Sequence, residues 1–243
     1  MAYREAAPSA VMAPWIECYW TRTGKADGPA RVLPDGCADV IFDVDHADGF
    51  VVGTMTAPLI IPSEASPSMF GIRFHTGRAL LGIGVPLREL TDTRASLRDA
   101  RSIAAGFAQR VADAPSFEAR IEVVERMLSR SLASTASDPI VDAAVARIAS
   151  GSASVELTAV MLGVTRQHLA RKFAGAVGVS PKMFARIARF RRVLRKVRSH
   201  DVDWADVALA AGYFDQSHLI ADFRDFAGTS PVPFFLSREN MPA

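Results

Sequence analysis

The sequence predicts an α+β chain of two domains. A small, mostly-β N-terminal domain with helices is followed by an all-α domain of two helix-turn-helix units joined by a linker helix. Three observations carry this. Residues 1–90 are short apolar segments bounded by Gly and Pro, the punctuation of strands and turns. From Pro139 onward, apolar residues recur at helical spacing almost to the C-terminus. Within this helical region a single residue pattern occurs twice at a constant offset of 50, the mark of a duplicated supersecondary unit.

In the N-terminal region, segments 15–21, 31–33, 38–44, 50–54 and 69–75 are the candidate strands. Asp39-Val40-Ile41-Phe42-Asp43 alternates incompletely, as a half-buried strand should, and Pro34-Asp35-Gly36 reads as a turn. Helical signals begin near residue 86. Phe117, Ile121, Val124, Leu128 and Leu132 form an amphipathic stripe, which either packs on its own domain or makes a short dimer seam. Residues 129–138 are rich in Ser, Ala and Thr and end at Pro139, so the boundary is placed there, between an N-terminal domain of 1–134 and a C-terminal domain of 138–243.

Composition narrows the class. Apolar residues make up 49% of the 243 and charged residues 22%, enough to bury a core and too apolar for a disordered chain. The longest uncharged run, 49–63, is too short for a bilayer and is broken by Pro58 and Pro62. The first 14 residues lack the basic start and apolar block of a secretory signal. Two cysteines, Cys18 and Cys37, cannot make a disulfide framework or a four-cysteine zinc site, and they suit a reducing cytoplasm. The net charge of +2 is uneven: −3 over residues 1–150 and +5 over 151–243. Segment 157–200 holds eleven Lys and Arg and no acid, which points to a polyanionic partner rather than a merely solvated face.

The repeat lies on this basic background. Thr165, His168, Leu169, Phe173, Gly178, Ser180 and Pro181 recur as Asp215, His218, Leu219, Phe223, Gly228, Ser230 and Pro231. Each unit reads as helix, Gly-containing turn, helix, with Thr165 and Asp215 as N-caps of the second helix. The second turn is one residue longer. At about 100° per residue, Leu169, Phe173 and Ala176 share one face of the first such helix and Gln167, Ala170, Arg171 and Ala174 the opposite one. In the second, Leu219, Phe223 and Phe226 face inward, and Ser217, Ile220, Ala221 and Arg224 outward. A small, polar outer face fits a DNA major groove, where Arg suits guanine and Gln suits adenine. Gln167 and Arg171 are therefore candidate base readers, and Arg166 and Lys172 candidate phosphate contacts. Between the units, 181–197 predicts a basic spacer helix that could set two recognition helices into successive groove turns.

These residues resemble the AraC/XylS family of transcription regulators. The resemblance covers about residues 138–240 and is carried by Leu162-Gly163-Val164-Thr165 with Gly178-Val179-Ser180-Pro181, and by Ala211-Gly212-Tyr213 with Asp215-Gln216-Ser217-His218-Leu219 and Gly228-Thr229-Ser230-Pro231. It implies a cytoplasmic, sequence-specific regulator of double-stranded DNA that is not an enzyme and needs no cofactor. It implies base reading by Gln167, Arg171, Gln216 and Ser217, with Ile220 and Ala221 on the same surface. Many relatives have a basic residue where Ala221 and Asp222 stand, so the second unit departs from the pattern. The N-terminal region resembles a short sensor-like domain of some relatives, through Trp15–Trp20, Leu33–Asp39 and Gly71–Phe74. The resemblance allows a small-molecule effector, a homodimer through the N-terminal domain, and RNA polymerase as a contact if the protein activates; no membrane contact is implied.

The N-terminal region also offers candidate ligand, metal and redox residues. Arg73 and His75, beside Trp15 and Trp20, could line an anionic-ligand pocket, against a structural role for the aromatics. Cys37, His46 and His75 match no metal-site spacing, so no metal is assigned. Cys18 and Cys37 could form a redox switch only if their strands lie side by side. The chain lacks a Gly-rich phosphate loop, an HExxH and a GxSxG motif. The alternative class is a metal-dependent cupin-like enzyme fused to a DNA-binding module.

Overall fold

The structure is a computed structural model that describes residues 2–24, 28–62, 68–79, 84–97, 106–133, 136–197 and 202–237. Residues 134–135 of the expected linker, and Arg198 and His200 of the basic segment, lie outside the described residues. Strands β1 (Ala2–Ala6), β2 (Ile16–Thr23), β7 (Met69–Phe74), β4 (Ala38–Asp43), β5 (Asp48–Val52) and β8 (Arg94–Ser96) pair in that order into one antiparallel sheet. β3 (Ala30–Val32) and β6 (Leu59–Ile61) form a separate antiparallel pair. Alternation decides which side is core. Along β4, Ala38, Val40 and Phe42 are buried and Asp39, Ile41 and Asp43 are not.

That buried face is covered by α1 (Phe107–Asp113) and α2 (Phe117–Ala133). Phe107 meets Phe42 edge-on at 5.1 Å, and Phe117 meets Phe70 at 5.9 Å. The stripe Phe117, Val124, Leu128 and Leu132 is buried in this cluster with Ile121 packed beside it. It is core of its own domain, which leaves no free dimer seam on that face.

The opposite face of the sheet is polar at its centre. Trp20 lies flat over Gly71, where a Cβ would sit 2.0 Å from the indole. Beside it Arg73 pairs with Asp39 at 3.2 Å and with Asp35 at 3.7 Å. Cys18 lies on β2 and Cys37 immediately precedes β4, and β7 lies between these two strands, so they are not neighbours. Burial pushes both thiols up, Cys18 to about 12. The geometry that a Cys18–Cys37 switch required is therefore missing.

The helical domain runs α3 (Pro139–Ser150), α4 (Val155–Met161), α5 (Arg166–Val177), α6 (Pro181–Lys196), α7 (Trp204–Ala211), α8 (Gln216–Ala227) and α9 (Pro231–Leu236). Two clusters hold it. Val141, Ala144, Ile148, Leu169, Phe173 and Phe184 make the first; Ile187, Phe190, Val193, Leu219, Phe223 and Phe226 make the second. α6 contributes to both, so it is a shared core element and not only the spacer its charges suggest. Among the described residues, no helix is long and apolar enough to cross a membrane.

Candidate nucleic-acid interface

Each helix-turn-helix unit is built by capping. In the first, Ser154 accepts the Leu157 amide at 3.1 Å to start α4, and Thr165 accepts the His168 amide at 3.1 Å to start α5. Gly163 at φ +65° makes the turn between them. In the second, Asp203 caps α7, Gly212 at φ +88° turns the chain, and Asp215 accepts the His218 amide at 2.7 Å to start α8. The caps satisfy the amides that a helix start leaves open and fix where α5 and α8 begin.

The two outward faces are presented as the periodicity requires. On α5, Leu169, Phe173, Ala176 and Val177 are buried, while Arg166, Gln167 and Arg171 are exposed. Arg171 Nη2 lies 3.3 Å from His168 Nδ1, one turn back on the same helix. On α8, Leu219, Asp222, Phe223, Phe226 and Ala227 are buried, while Gln216, Ser217, Ala221 and Arg224 are exposed. Ile220 is half-buried and packs against the core on one side.

The basic segment divides into two sets. Lys172, expected to flank the reading face, instead bonds the Asp138 carboxylate, the N-cap of α3. This bond and the cap amides hold the Asp138 carboxyl below the usual range, against a contrary push from burial. Arg186 donates to Asp222 at 2.7 and 2.9 Å and to Asp225 at 2.5 Å, with Arg189 4.0 Å from Asp222. Asp222 is 1% exposed, so it is an internal counter-ion that keeps α8 on α6 and not a gap in the reading face. Arg192 donates to the Ala149 carbonyl at 2.8 Å and the Ala211 carbonyl at 3.1 Å, joining the ends of α3 and α7. Arg166, Arg171, Lys182, Arg195 and Lys196 remain exposed.

The N-terminal domain reaches the rear of both units. The Thr54 hydroxyl, fully buried, donates to the Val177 carbonyl, and Thr91 donates to the Gly178 carbonyl at 2.6 Å. Both carbonyls belong to the C-terminal end of α5, which a helix leaves unsatisfied. The Gly36 turn abuts Phe184 so closely that a Cβ would lie 2.6 Å from its ring, and Arg78 pairs with Asp142 at 3.1 Å. Pro58 lies against Gly228 at the end of α8. These contacts pair residues far apart in the chain, and sequence periodicity carries no signal for them.

The four aromatic and basic residues expected to share a ligand pocket do not converge. Trp20 and Arg73 occupy the polar sheet face, with Arg73 already neutralised by two carboxylates, and Trp15 packs on the core. His75 bonds the Ala13 carbonyl at 3.2 Å and lines an open cleft of about 470 Å³ between the domains, with Glu17, Thr76, Arg78, Asp142 and Val145. Among the described residues, no three His, Cys, Asp or Glu side chains are grouped to hold a metal; His46 is tied to Asp43 and Cys37 to Glu17.

Residues 158–235 match the family described as helix-turn-helix domain. This segment is a helix-turn-helix domain. Residues 4–96, ahead of it, match a domain of unknown function, DUF6597. No curated protein matches the chain. Among solved structures, the chain is similar to ToxT from Vibrio cholerae at 9% identity and TM-score 0.44, covering 97% of this chain and 98% of that one. It is also similar to ToxT bound to (E)-4-(8-methylnaphthalen-1-yl)but-3-enoic acid, at 9% identity, TM-score 0.44 and coverage of 97% and 99%. Unsaturated fatty acid bound ToxT matches at 9% identity, TM-score 0.41 and coverage of 96% and 93%. The matched segment runs from within α4 to within α9 and so includes α5 and α8, the helices that carry the two exposed faces.

Proposed function

We propose that the protein is a sequence-specific DNA-binding transcription regulator, with 138–243 as its DNA-binding domain and 1–134 as the domain that controls it. The observation that carries this is the pair of capped helices, α5 and α8, held on one spine helix with their small, polar faces exposed. Gln167 and Arg171 read base edges from α5; Gln216, Ser217, Ile220 and Ala221 lie on the reading surface of α8. Arg166 and Arg224 contact phosphate. Lys172, engaged with Asp138, positions α5 on α3 and does not flank the groove.

Control passes through the domain junction. Thr54 and Thr91 hold the carbonyl end of α5, so a shift of the N-terminal domain moves the reading helix it touches. A small-molecule effector in the cleft between His75 and Asp142 would bear on both domains at once. A homodimer through the N-terminal domain, and contact with RNA polymerase if the protein activates, belong to the same proposal. The test is selection from a random duplex pool by the full chain. Enrichment of a two-block site, with blocks about one helical turn apart, is expected. A pool that stays random after repeated rounds would contradict sequence-specific binding.

A further inference from the structure

The two units differ at the turn that precedes each reading helix. In the first, Gly163 is followed by Val164 and the cap Thr165, and Val164 packs on the core of its unit, the usual place for a residue just ahead of an N-cap. In the second, the turn Gly212-Tyr213-Phe214-Asp215 holds one more residue. Tyr213 takes the inward place, 4% exposed and edge-on to His218 with ring centroids 5.2 Å apart. Phe214, in the position equivalent to Val164, is 86% exposed, the most of any large apolar side chain among the described residues. It stands immediately before the cap of α8, at the helix end that carries Gln216 and Ser217.

Part of the outward face of α8 is small or apolar as well. The duplication places Ser217 where the first unit has Gln167, and Ala221 where it has Arg171. Both hydrogen-bonding readers of α5 are thus replaced by small side chains, and half-buried Ile220 adds apolar surface beside them. Ala221 and Ile220 cannot donate to the acceptors of guanine, so hydrogen bonding on this face is left to Gln216, Ser217 and Arg224. The one apolar feature of the major groove is the C5-methyl group of thymine.

We infer that Phe214 is a specificity-determining residue that contacts thymine methyl groups, with Ala221 extending the same apolar surface, so that the second unit selects A·T pairs while the first reads by hydrogen bonds. The inference rests on the reading of α8 as a groove-entering helix. It commits to duplex DNA as the occupant because the ring adjoins the helix start that also presents Gln216 and Ser217, and recognition helices enter the groove by their N-terminal residues.

The test uses the full chain and the duplex selected as above, with each thymine of the second block replaced singly by deoxyuridine, which removes only the methyl group. At one or more positions the replacement should weaken wild-type binding about four-fold, the factor for losing burial of one methyl. Phe214→Ala should weaken binding to the thymine duplex at least as much and show no further loss on deoxyuridine at that position. Arg171→Ala should retain the deoxyuridine penalty. Because the ring is in solvent, Phe214→Ala should keep the wild-type melting temperature. Identical deoxyuridine penalties in wild type and Phe214→Ala, or wild-type affinity in Phe214→Ala, would overturn the inference while leaving sequence-specific binding intact. A wild-type chain that selects no sequence overturns both.

Discussion

Asp39 sits beside a guanidinium, yet its carboxyl is pushed up to about 6: burial outweighs the pull of Arg73, and Asp35 nearby adds to the rise. The sign of its linkage follows. A carboxyl whose folded pKa exceeds the unfolded value of about 3.9 binds its proton more tightly when folded. Its contribution is present below about pH 4 and is lost as pH rises towards 6, by an amount on the order of 2–3 kcal/mol. A carboxyl-carbon NMR titration should give a midpoint near 6; a midpoint below 4 would mean that the ion pair outweighs burial. This partnership is barely legible in the sequence, where Arg73 reads as a cation free for a ligand. Its counter-ions lie across a strand pairing and a turn, 34 and 38 residues away. Lys172 and Asp222 mislead for the same reason, since Asp138 and Arg186 are remote partners. Gln167 and Arg171 are legible because helical periodicity alone decides which way they face.

At the scale of elements, α6 separates charges that bind the fold from charges left for a partner. Arg192 satisfies carbonyls at the ends of α3 and α7, which pack in different core clusters. Arg192→Ala should therefore cost about 2–4 kcal/mol of stability, read as a lower urea midpoint, because two carbonyls near helix ends lose a charged donor. Arg195→Ala, exposed in the last turn of the same helix, should leave stability within about 0.5 kcal/mol. An unchanged midpoint in Arg192→Ala, with a reduced salt slope of binding, would show that Arg192 touches phosphate instead. The helices are readable because capping residues and glycines sit at their ends. The strands β1, β6 and β8 are not. β1 is an edge strand whose residues are mostly exposed, and β6 and β8 are three residues each. Such strands are specified by the partner they pair with and not by their own alternation.

For the whole molecule, the junction between the domains decides whether a signal in one can reach the other. Thr54 and Thr91 supply hydroxyls to the carbonyl end of α5, and replacing either with Val would leave a carbonyl unpaired in a packed junction. The double substitution Thr54→Val/Thr91→Val should lower stability by about 2–4 kcal/mol and split one cooperative thermal transition into two. A single transition at the wild-type temperature would mean that the remaining contacts, the Arg78–Asp142 pair among them, hold the domains without these hydroxyls. No local pattern announces these hydroxyls, because a threonine that caps a distant helix has the same sequence surroundings as one in a strand end or turn.

The central claim is that α5 reads bases, and one measurement addresses it most directly: binding of wild type and Arg171→Ala to the selected duplex and to a scrambled duplex across a salt series. Wild-type affinity should fall steeply with salt on both, as the exposed cations displace condensed counterions. Arg171→Ala should lose about 1–3 kcal/mol on the selected duplex, relax preference at one base position, and bind scrambled duplex with much smaller loss. Equal losses on both duplexes would contradict the account, because Arg171 would then be a phosphate contact and the reading face of α5 would lie elsewhere.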